Sequence, residues 1–208
     1  MLALTLTCAA PEAFPEPATH DQAVADLRDV AEERRGEAVI WLARYGNRAD
    51  EPLLVARLRD ESRIVRLLAE QGLWVLWGRS GDPAVDELLE RGTELMQDGR
   101  HAEAVAAFSE VIRRRPDFAE GWNKRATVYY LAGDYRRSLA DCDEVMKRNP
   151  AHFGALSGYG QIYFQLEQYD KAIEYWRKAL EVNPNMDGIR QNIEGAEELL
   201  REKKSKTI

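Results

Sequence analysis

The hydrophobic positions in the second half of the chain recur at a fixed step of 34 residues, marked by Pro116, Pro150 and Pro184. Equivalent positions carry related residues in the three units: Leu95, Tyr129 and Tyr163; Phe108, Cys142 and Trp176; Gly92, Ala126 and Gly160; Ala104, Ser138 and Ala172. Apolar spacings of three and four residues on either side of a short turn are typical of two amphipathic helices. The pattern therefore predicts stacked helical hairpins, with small residues at the close crossings.

This period and its content resemble the tetratricopeptide repeat (TPR), a 34-residue helical hairpin with a W-x2-L-G-x2-Y…A-x3-F…P template. The resemblance covers residues 85–186 and implies three units. The middle unit carries Trp122, Ala126 and Tyr129 at template positions, whereas the third has Glu167 in place of the turn glycine. The turn of the third unit is therefore expected to differ slightly. Parts of the second and third units are also similar to small bacterial TPR proteins of unassigned role.

Residues 187–203 are predicted to form a capping helix, followed by a short basic tail at 204–208. The apolar residues of this helix share one stripe: Ile189, Ile193, Ala196, Leu199 and Leu200. A stack of repeats needs such a helix because its last unit otherwise leaves a hydrophobic side in water.

Residues 21–84 are also predicted to be helical, but with a different period. Three residues return after 31 positions, as Arg35 and Arg66, Ala38 and Ala69, Leu42 and Leu73. An acidic turn, the dipeptide Val65-Arg66 and a Gly-Asp-Pro exit resemble a HEAT-type repeat; an unrelated four-helix cap is the alternative. The predicted fold class is all-α, a right-handed α-solenoid in which HEAT-like pairs are followed by TPR hairpins and the capping helix.

The sequence LWVLW brings Trp74 and Trp77 close to the end of the HEAT-like region. We expect the two indoles to fill the joint between the two kinds of repeat, where bulky side chains must pack a change of curvature. An exposed binding patch or a membrane-touching edge is the alternative.

Residues 1–20 are predicted to be disordered or signal-like, because an apolar run ending in Cys8-Ala9-Ala10 precedes a proline-rich spacer. No basic residue precedes the run, so export is only slightly favoured over the cytoplasm; lipid attachment at Cys8 is a further alternative. No later stretch approaches the ~20 apolar residues of an integral membrane span.

Composition narrows the range of functions. A net charge of −7 and a pI near 5.2 argue against nucleic acid as a partner, since phosphate backbones attract basic surfaces. Two cysteines cannot form a disulfide framework, and Cys142 takes a core position of its repeat.

The sequence contains no nucleotide-binding glycine motif, zinc-protease helix, C-x-x-C pair or nucleophile elbow. Its histidines, His20, His101 and His152, are scattered along the chain. We therefore expect no catalytic residues, no metal and no cofactor.

The TPR resemblance implies a concave groove lined by the first helix of each unit. The inward-facing positions that we expect to bind a ligand are Thr93, Met96, Asn123, Thr127, Tyr130, Leu131, Ser157, Gln161, Phe164 and Gln165. Amides can bond both the N–H and C=O groups of an extended peptide, and Tyr130 and Phe164 offer flat apolar surfaces. Plain solvent exposure is the alternative for any one of them.

The chaperone-binding members of the family hold a C-terminal carboxylate with cationic and amide groups. Four of the five positions that hold this carboxylate carry residues with neither a cationic nor an amide side chain, namely Leu89, Thr93, Gly154 and Gly158. Only Lys124 could bind a carboxylate. A chaperone tail is therefore not expected as the partner. The function predicted is a non-enzymatic protein-interaction module that binds a neutral or mildly apolar peptide. Alternatives are an enzyme with a site at the HEAT/TPR junction and a self-associating structural protein.

Overall fold

The computed structural model describes residues 16–205, which form eleven α-helices and one short 3-10 helix, without a strand among them. The helices are α1 His20–Asp26, α2 Glu32–Tyr45, α3 Glu51–Arg57, α4 Arg63–Trp77, α5 Pro83–Gln97, α6 His101–Arg114, α7 Ala119–Leu131, α8 Tyr135–Arg148, α9 Phe153–Gln165, α10 Tyr169–Val182 and α11 Asp187–Ser205. The prediction of an all-α fold is confirmed. The expectations for the signal-like run and for the last three residues lie outside the described range.

Three helical hairpins, α5–α6, α7–α8 and α9–α10, follow one another at the predicted step. The close crossing inside each hairpin requires the small residue that the sequence places there. A Cβ on Gly92 would lie 2.6 Å from Cε1 of Phe108, and one on Gly160 would overlap the Trp176 indole. In the middle unit the Ser138 hydroxyl donates to the Ala126 carbonyl at 2.7 Å. The register inferred from the 34-residue period is therefore correct.

The turn of the third hairpin differs only slightly from the other two. Gly99, Gly133 and Glu167 all adopt positive φ, at 72°, 75° and 54°. All three turns make the same two backbone hydrogen bonds, as in the N–H of Gln168 to the carbonyl of Tyr163 and that of Glu167 to Phe164. Glu167 thus occupies a conformation that favours glycine.

Helix α11 covers the exposed side of the third hairpin. Its Ile189 and Ala196 are buried against Ile173 and Trp176 of α10. The helix extends to Ser205, two residues beyond the predicted end of the cap.

The hydrophobic core of the N-terminal helices α1–α4, in which Leu42, Leu54 and Leu73 are fully buried, also includes Phe153 of α9. A buried ion pair holds the segments together: Arg35 donates from Nε and Nη2 to the Asp60 carboxylate at 2.9 and 2.8 Å. The HEAT-like designation of these helices and the handedness of the solenoid stay predictions.

These helices do not continue the stack ahead of the first TPR hairpin, as the proposed solenoid implied. They lie along the edge where successive TPR units are joined. Arg48 donates to the carbonyls of Asp117 and Arg148, beside the first and second proline corners, and Arg59 donates to those of Glu181 and Val182 at the third. Carbonyls at the ends of helices lack intrahelical partners and attract cationic donors. The arginines therefore attach the N-terminal part to all three units.

Candidate peptide-binding groove

The first helices of the TPR units, α5, α7 and α9, lie side by side and form one face of the array. Between α7 and α9 this face contains a pocket of about 230 Å³. Five of the predicted ligand-binding residues line it: Asn123, Thr127, Tyr130, Ser157 and Gln161. The structure thus brings together half of the predicted set.

Glycines give the pocket its open floor. A Cβ on Gly158 would meet only the Cys142 Sγ, at 3.9 Å, so the absence of a side chain leaves room for a ligand. Burial, followed by the charges of Asp141 and Asp143, raises the pKa of the Cys142 thiol to about 12. The thiol at the base of the pocket is therefore neutral, as expected for a small hydrophobic core residue.

The polar groups of the pocket differ in how far they are already bonded. Asn123 Nδ2 donates to the Glu120 carboxylate at 3.1 Å, and the Thr127 hydroxyl donates to the Asn123 carbonyl at 3.0 Å. Ser157 and Gln161 make no side-chain hydrogen bond within the part of the chain that the structure describes. Their donors and acceptors are available to the backbone of a bound peptide.

The other predicted residues lie outside the pocket. Met96 is half-buried against the core of the first hairpin, and the Thr93 hydroxyl donates to the carbonyl of Leu89 at 2.8 Å. Leu131 and Gln165 are exposed near the C-terminal ends of α7 and α9.

Phe164 is not the free apolar surface that was predicted. Its ring is half-buried, 5.7 Å from Trp176 and 5.4 Å from Tyr169 between ring centroids. Helix α10 covers one side of it, because the twelfth position of a first helix faces both the groove and its own partner helix. Tyr130 also has a neighbour, Tyr135 at 5.9 Å, but it still lines the pocket.

Trp74 lies beside the groove pocket, a placement that the sequence reasoning missed. A Cβ on Gly154, which lines the pocket, would overlap the Trp74 indole, so α4 packs against α9 next to the pocket. The indole packs edge-on against Phe153 at 5.2 Å and yet is 38% exposed. It therefore both packs the joint between the two parts of the chain and presents an aromatic surface. The LWVLW sequence was the available signal.

The positions corresponding to a chaperone-tail clamp carry no pair of free cations. Leu89 is buried, Gly154 and Gly158 have no side chain, and the Lys124 Nζ lies 3.6 Å from the Glu120 carboxylate. Within the described residues no group of three or more His, Cys, Asp or Glu side chains is arranged to hold a metal ion. Nor does any described helix have the length and apolar character needed to cross a membrane.

The fold and the groove define a helical-repeat protein of the TPR class, and comparison with known sequences agrees. Two sequence models of the tetratricopeptide repeat match, one over residues 89–145 and one over residues 155–186. Residues 89–145 and 155–186 are therefore tetratricopeptide repeats. These matches cover most of each of the three hairpins and do not extend into α1–α4.

Relatives share the repeats over part of their length. A TPR repeat-containing protein of Rhizobium etli is 32% identical over 108 residues, which are 52% of this chain and 53% of that protein. Hsp70-Hsp90 organizing protein 1 of Glycine max is 32% identical over 118 residues, or 54% of this chain and 21% of that protein. The chain thus covers about half of the first relative and about a fifth of the second.

Solved structures share the fold. The first TPR domain of Spaghetti (RPAP3), bound to the HSP90 peptide SRMEEVD, matches with a TM-score of 0.54 and 20% identity over 56% of this chain and 93% of that domain. Because this structure contains a chaperone peptide and the soybean relative is named for Hsp70 and Hsp90, the comparisons do not support the exclusion of a chaperone tail that the sequence suggested.

Proposed function

We propose that the chain is a non-enzymatic protein-interaction module that holds an extended peptide in the groove formed by α5, α7 and α9. The observation that carries the proposal is the pocket between α7 and α9, where Ser157 and Gln161 keep their hydrogen-bonding groups open above a glycine floor. An extended peptide needs partners for its own N–H and C=O groups when it leaves water. Peptide binding by TPR relatives supports this proposal.

The chemistry of the pocket favours a neutral or mildly apolar peptide. Its lining has no charged side chain, and its apolar walls come from Tyr130 and Ile162. A volume of about 230 Å³ accommodates one medium-sized side chain with part of its backbone. Trp74 at the α9 end offers a further aromatic contact for a residue beyond the pocket.

A peptide selection tests the proposal. Random peptides displayed on phage are selected on the full chain, and the SRMEEVD peptide is measured beside them. Each binder is then compared on wild type and on Asn123→Ala combined with Gln161→Ala. We expect neutral peptides to be enriched and to lose at least tenfold in affinity, since each lost hydrogen bond is worth about 0.5–1.5 kcal/mol.

The matched control is Gln191→Ala combined with Asn192→Ala, which removes the same two kinds of side chain from the exposed face of α11. This variant should bind as wild type does. Equal affinities for the groove variant and wild type would contradict the groove assignment. If the groove variant loses affinity only for SRMEEVD, the groove assignment stands, but the ligand is an acidic tail rather than a neutral peptide.

Self-association is the alternative function, and an exposed apolar surface on α4 supports it. Ile64, Leu67 and Val75 of α4 are 60%, 46% and 51% exposed and lie next to Trp74 along one helix face. Light scattering over a hundredfold range of concentration distinguishes the two functions. A monomer throughout agrees with an interaction module, whereas a mass that rises with concentration in wild type and not in Ile64→Ser favours self-association.

A further inference from the structure

A second and larger cavity lies where the N-terminal helices meet the first two TPR units. Its volume is about 430 Å³, within the range of small-molecule sites. The N-terminal part contributes Glu51 and Trp77 to its lining, and the TPR array contributes Phe118, Glu120 and Asn149. The cavity shares none of its lining residues with the groove pocket.

Positive and negative groups are distributed unequally in this cavity. Its most buried charged residues are both carboxylates, Glu51 at 9% and Glu120 at 3% exposure. The guanidinium groups are less buried, and backbone carbonyls already occupy them: Arg48 donates to Asp117, Arg79 to Gly46 and Arg115 to Ser80. The buried charge of the cavity is therefore negative, whereas its arginines are more exposed.

The two carboxylates differ in their partners. Glu120 is well bonded, with His152 Nε2 and Asn123 Nδ2 each at 3.1 Å. Glu51 is less well compensated. Its burial raises the pKa of the carboxyl group, despite the opposing influence of the nearby Trp77 indole and of Arg48. The Trp77 Nε1 is itself buried without a well-formed hydrogen bond in the described part of the chain.

We infer that this junction cavity binds a guanidinium or primary amine group, with the Glu51 carboxylate as its ionic partner. A buried carboxylate gains most from a partner that is both cationic and a hydrogen-bond donor. The apolar body of such a ligand would lie against Leu76, Trp77 and Phe118, and the two aromatic rings also favour a nearby cation. The inference is independent of the peptide groove.

A pair of matched probes tests the charge requirement on the unaltered protein. Butylguanidinium and butylurea have the same shape and differ in charge. Isothermal titration calorimetry on the full chain at neutral pH should show butylguanidinium binding at least tenfold more tightly than butylurea. Equal affinities, or no binding of either probe, would overturn the inference.

Substitution locates the site. Glu51→Gln keeps the size of the side chain and should abolish the preference for butylguanidinium. Glu33→Gln, a matched change on the exposed face of α2, should retain the preference. A preference that survives in folded Glu51→Gln places the cation elsewhere and rejects the site. The single groove variant Gln161→Ala, whose side chain has no bond to a residue of the junction cavity, should bind butylguanidinium as wild type does, so that failure of one proposal is distinguishable from failure of the other.

The cation has two sources, a free small molecule or a side chain of a bound polypeptide. The peptide acetyl-Gly-Arg-Gly-amide is compared with its neutral citrulline counterpart. Binding of the arginine peptide at least as tight as that of butylguanidinium assigns the cavity to a partner's side chain. Binding of butylguanidinium alone assigns it to a free ligand.

Discussion

The imidazole of His152 lies flat on the indole of Trp77, with ring centroids 4.3 Å apart and 20° between the ring planes. His152 is fully buried at the N-terminus of α9, where its Nδ1 accepts the N–H of Ala155, so its Nε2 is the nitrogen that donates to Glu120. Trp77 ends α4. One aromatic contact therefore joins the N-terminal helices to both the second and third TPR units, and this explains why the two parts share a packed core.

Replacement of Trp77 by alanine should destabilise the whole chain. Trp77 is 93% buried, and replacing a buried aromatic side chain by alanine lowers the free energy of unfolding by about 3–5 kcal/mol. Urea unfolding followed by far-UV circular dichroism should show a single transition at a lower midpoint. Val75→Ala, on the exposed side of the same helix, should leave the midpoint nearly unchanged. Two separate transitions in wild type would contradict the joint packing of the two parts.

Substitution of Glu167 by glycine should stabilise the protein by about 0.5–1 kcal/mol. Glu167 has a φ of 54°, a region that costs an L-residue about 1–2 kcal/mol. Glycine removes this strain, but part of the gain in stability is lost because glycine also has more conformational freedom in the unfolded chain. The converse change at the equivalent turn, Gly133→Ala, should destabilise by a similar amount. Both free energies of unfolding are measured in urea. A loss of stability in Glu167→Gly would show that other contacts of Glu167 outweigh its backbone strain.

The buried pair of Arg35 and Asp60 should make the N-terminal helices sensitive to acid. Burial alone would raise the pKa of Asp60, but the hydrogen bonds from Arg35 and from the N–H of Ser62 outweigh it and lower the pKa below its usual 3.8. The folded state therefore binds the proton less readily than the unfolded state. Its stabilisation is present above pH 3.8 and is lost as the pH falls through the folded pKa.

Asp60→Asn tests this dependence. At neutral pH it leaves the buried Arg35 guanidinium with only the exposed Glu61 carboxylate, 3.2 Å from its Nη2, as an ionic partner. Loss of one member of a buried ion pair costs up to about 3–5 kcal/mol. The difference from wild type should shrink as the pH falls below 3.8, because wild type then loses the same interaction. Urea unfolding at several pH values measures the difference, and Asp170→Asn, at an exposed position of α10, is the control. A pH-independent difference would contradict the assignment.

Local periodicity was sufficient to predict the TPR half of the fold. Gly92 and Gly160 meet large rings of the second helix because the 34-residue phase also fixes which residues oppose each other. The pairing of Arg48 with the carbonyl of Arg148 had no such signal. The two residues are 100 positions apart, and the contact uses a backbone group that every residue has. The sequence pattern therefore could not show that α1–α4 lie along the edge of the array.

The same distinction applies to the groove. Asn123 and Gln161 line one pocket because the repeat phase, with the inward positions that the TPR resemblance implies, places them on the same face of neighbouring first helices. Phe164 was misjudged because phase does not show how far a long side chain reaches toward its own partner helix, here Trp176. The position of Trp74 beside Gly154 was missed because Trp74 comes from outside the repeats.

Two glycines of α9 lie in different surroundings, Gly160 at the helix crossing and Gly158 in the groove pocket. Their substitution by alanine should therefore have opposite effects on stability. A Cβ on Gly160 would overlap the Trp176 indole, so Gly160→Ala should destabilise by about 2–3 kcal/mol. A Cβ on Gly158 meets only Sγ of Cys142 at 3.9 Å, and replacing a glycine inside a helix by alanine gains about 0.5–1 kcal/mol. Gly158→Ala should therefore be the more stable protein.

Gly158→Ala should bind the peptide more weakly than wild type, although it is the more stable protein. The new methyl group enters the open floor of the groove pocket, where the proposed peptide lies, and should weaken the binding of selected peptides although the protein is more stable. Thermal unfolding and peptide affinity are measured on the same preparations, with butylguanidinium binding as a check that the junction cavity is intact. A Gly158→Ala variant that is more stable and binds its peptide as tightly as wild type would mean that the peptide contacts another part of the surface.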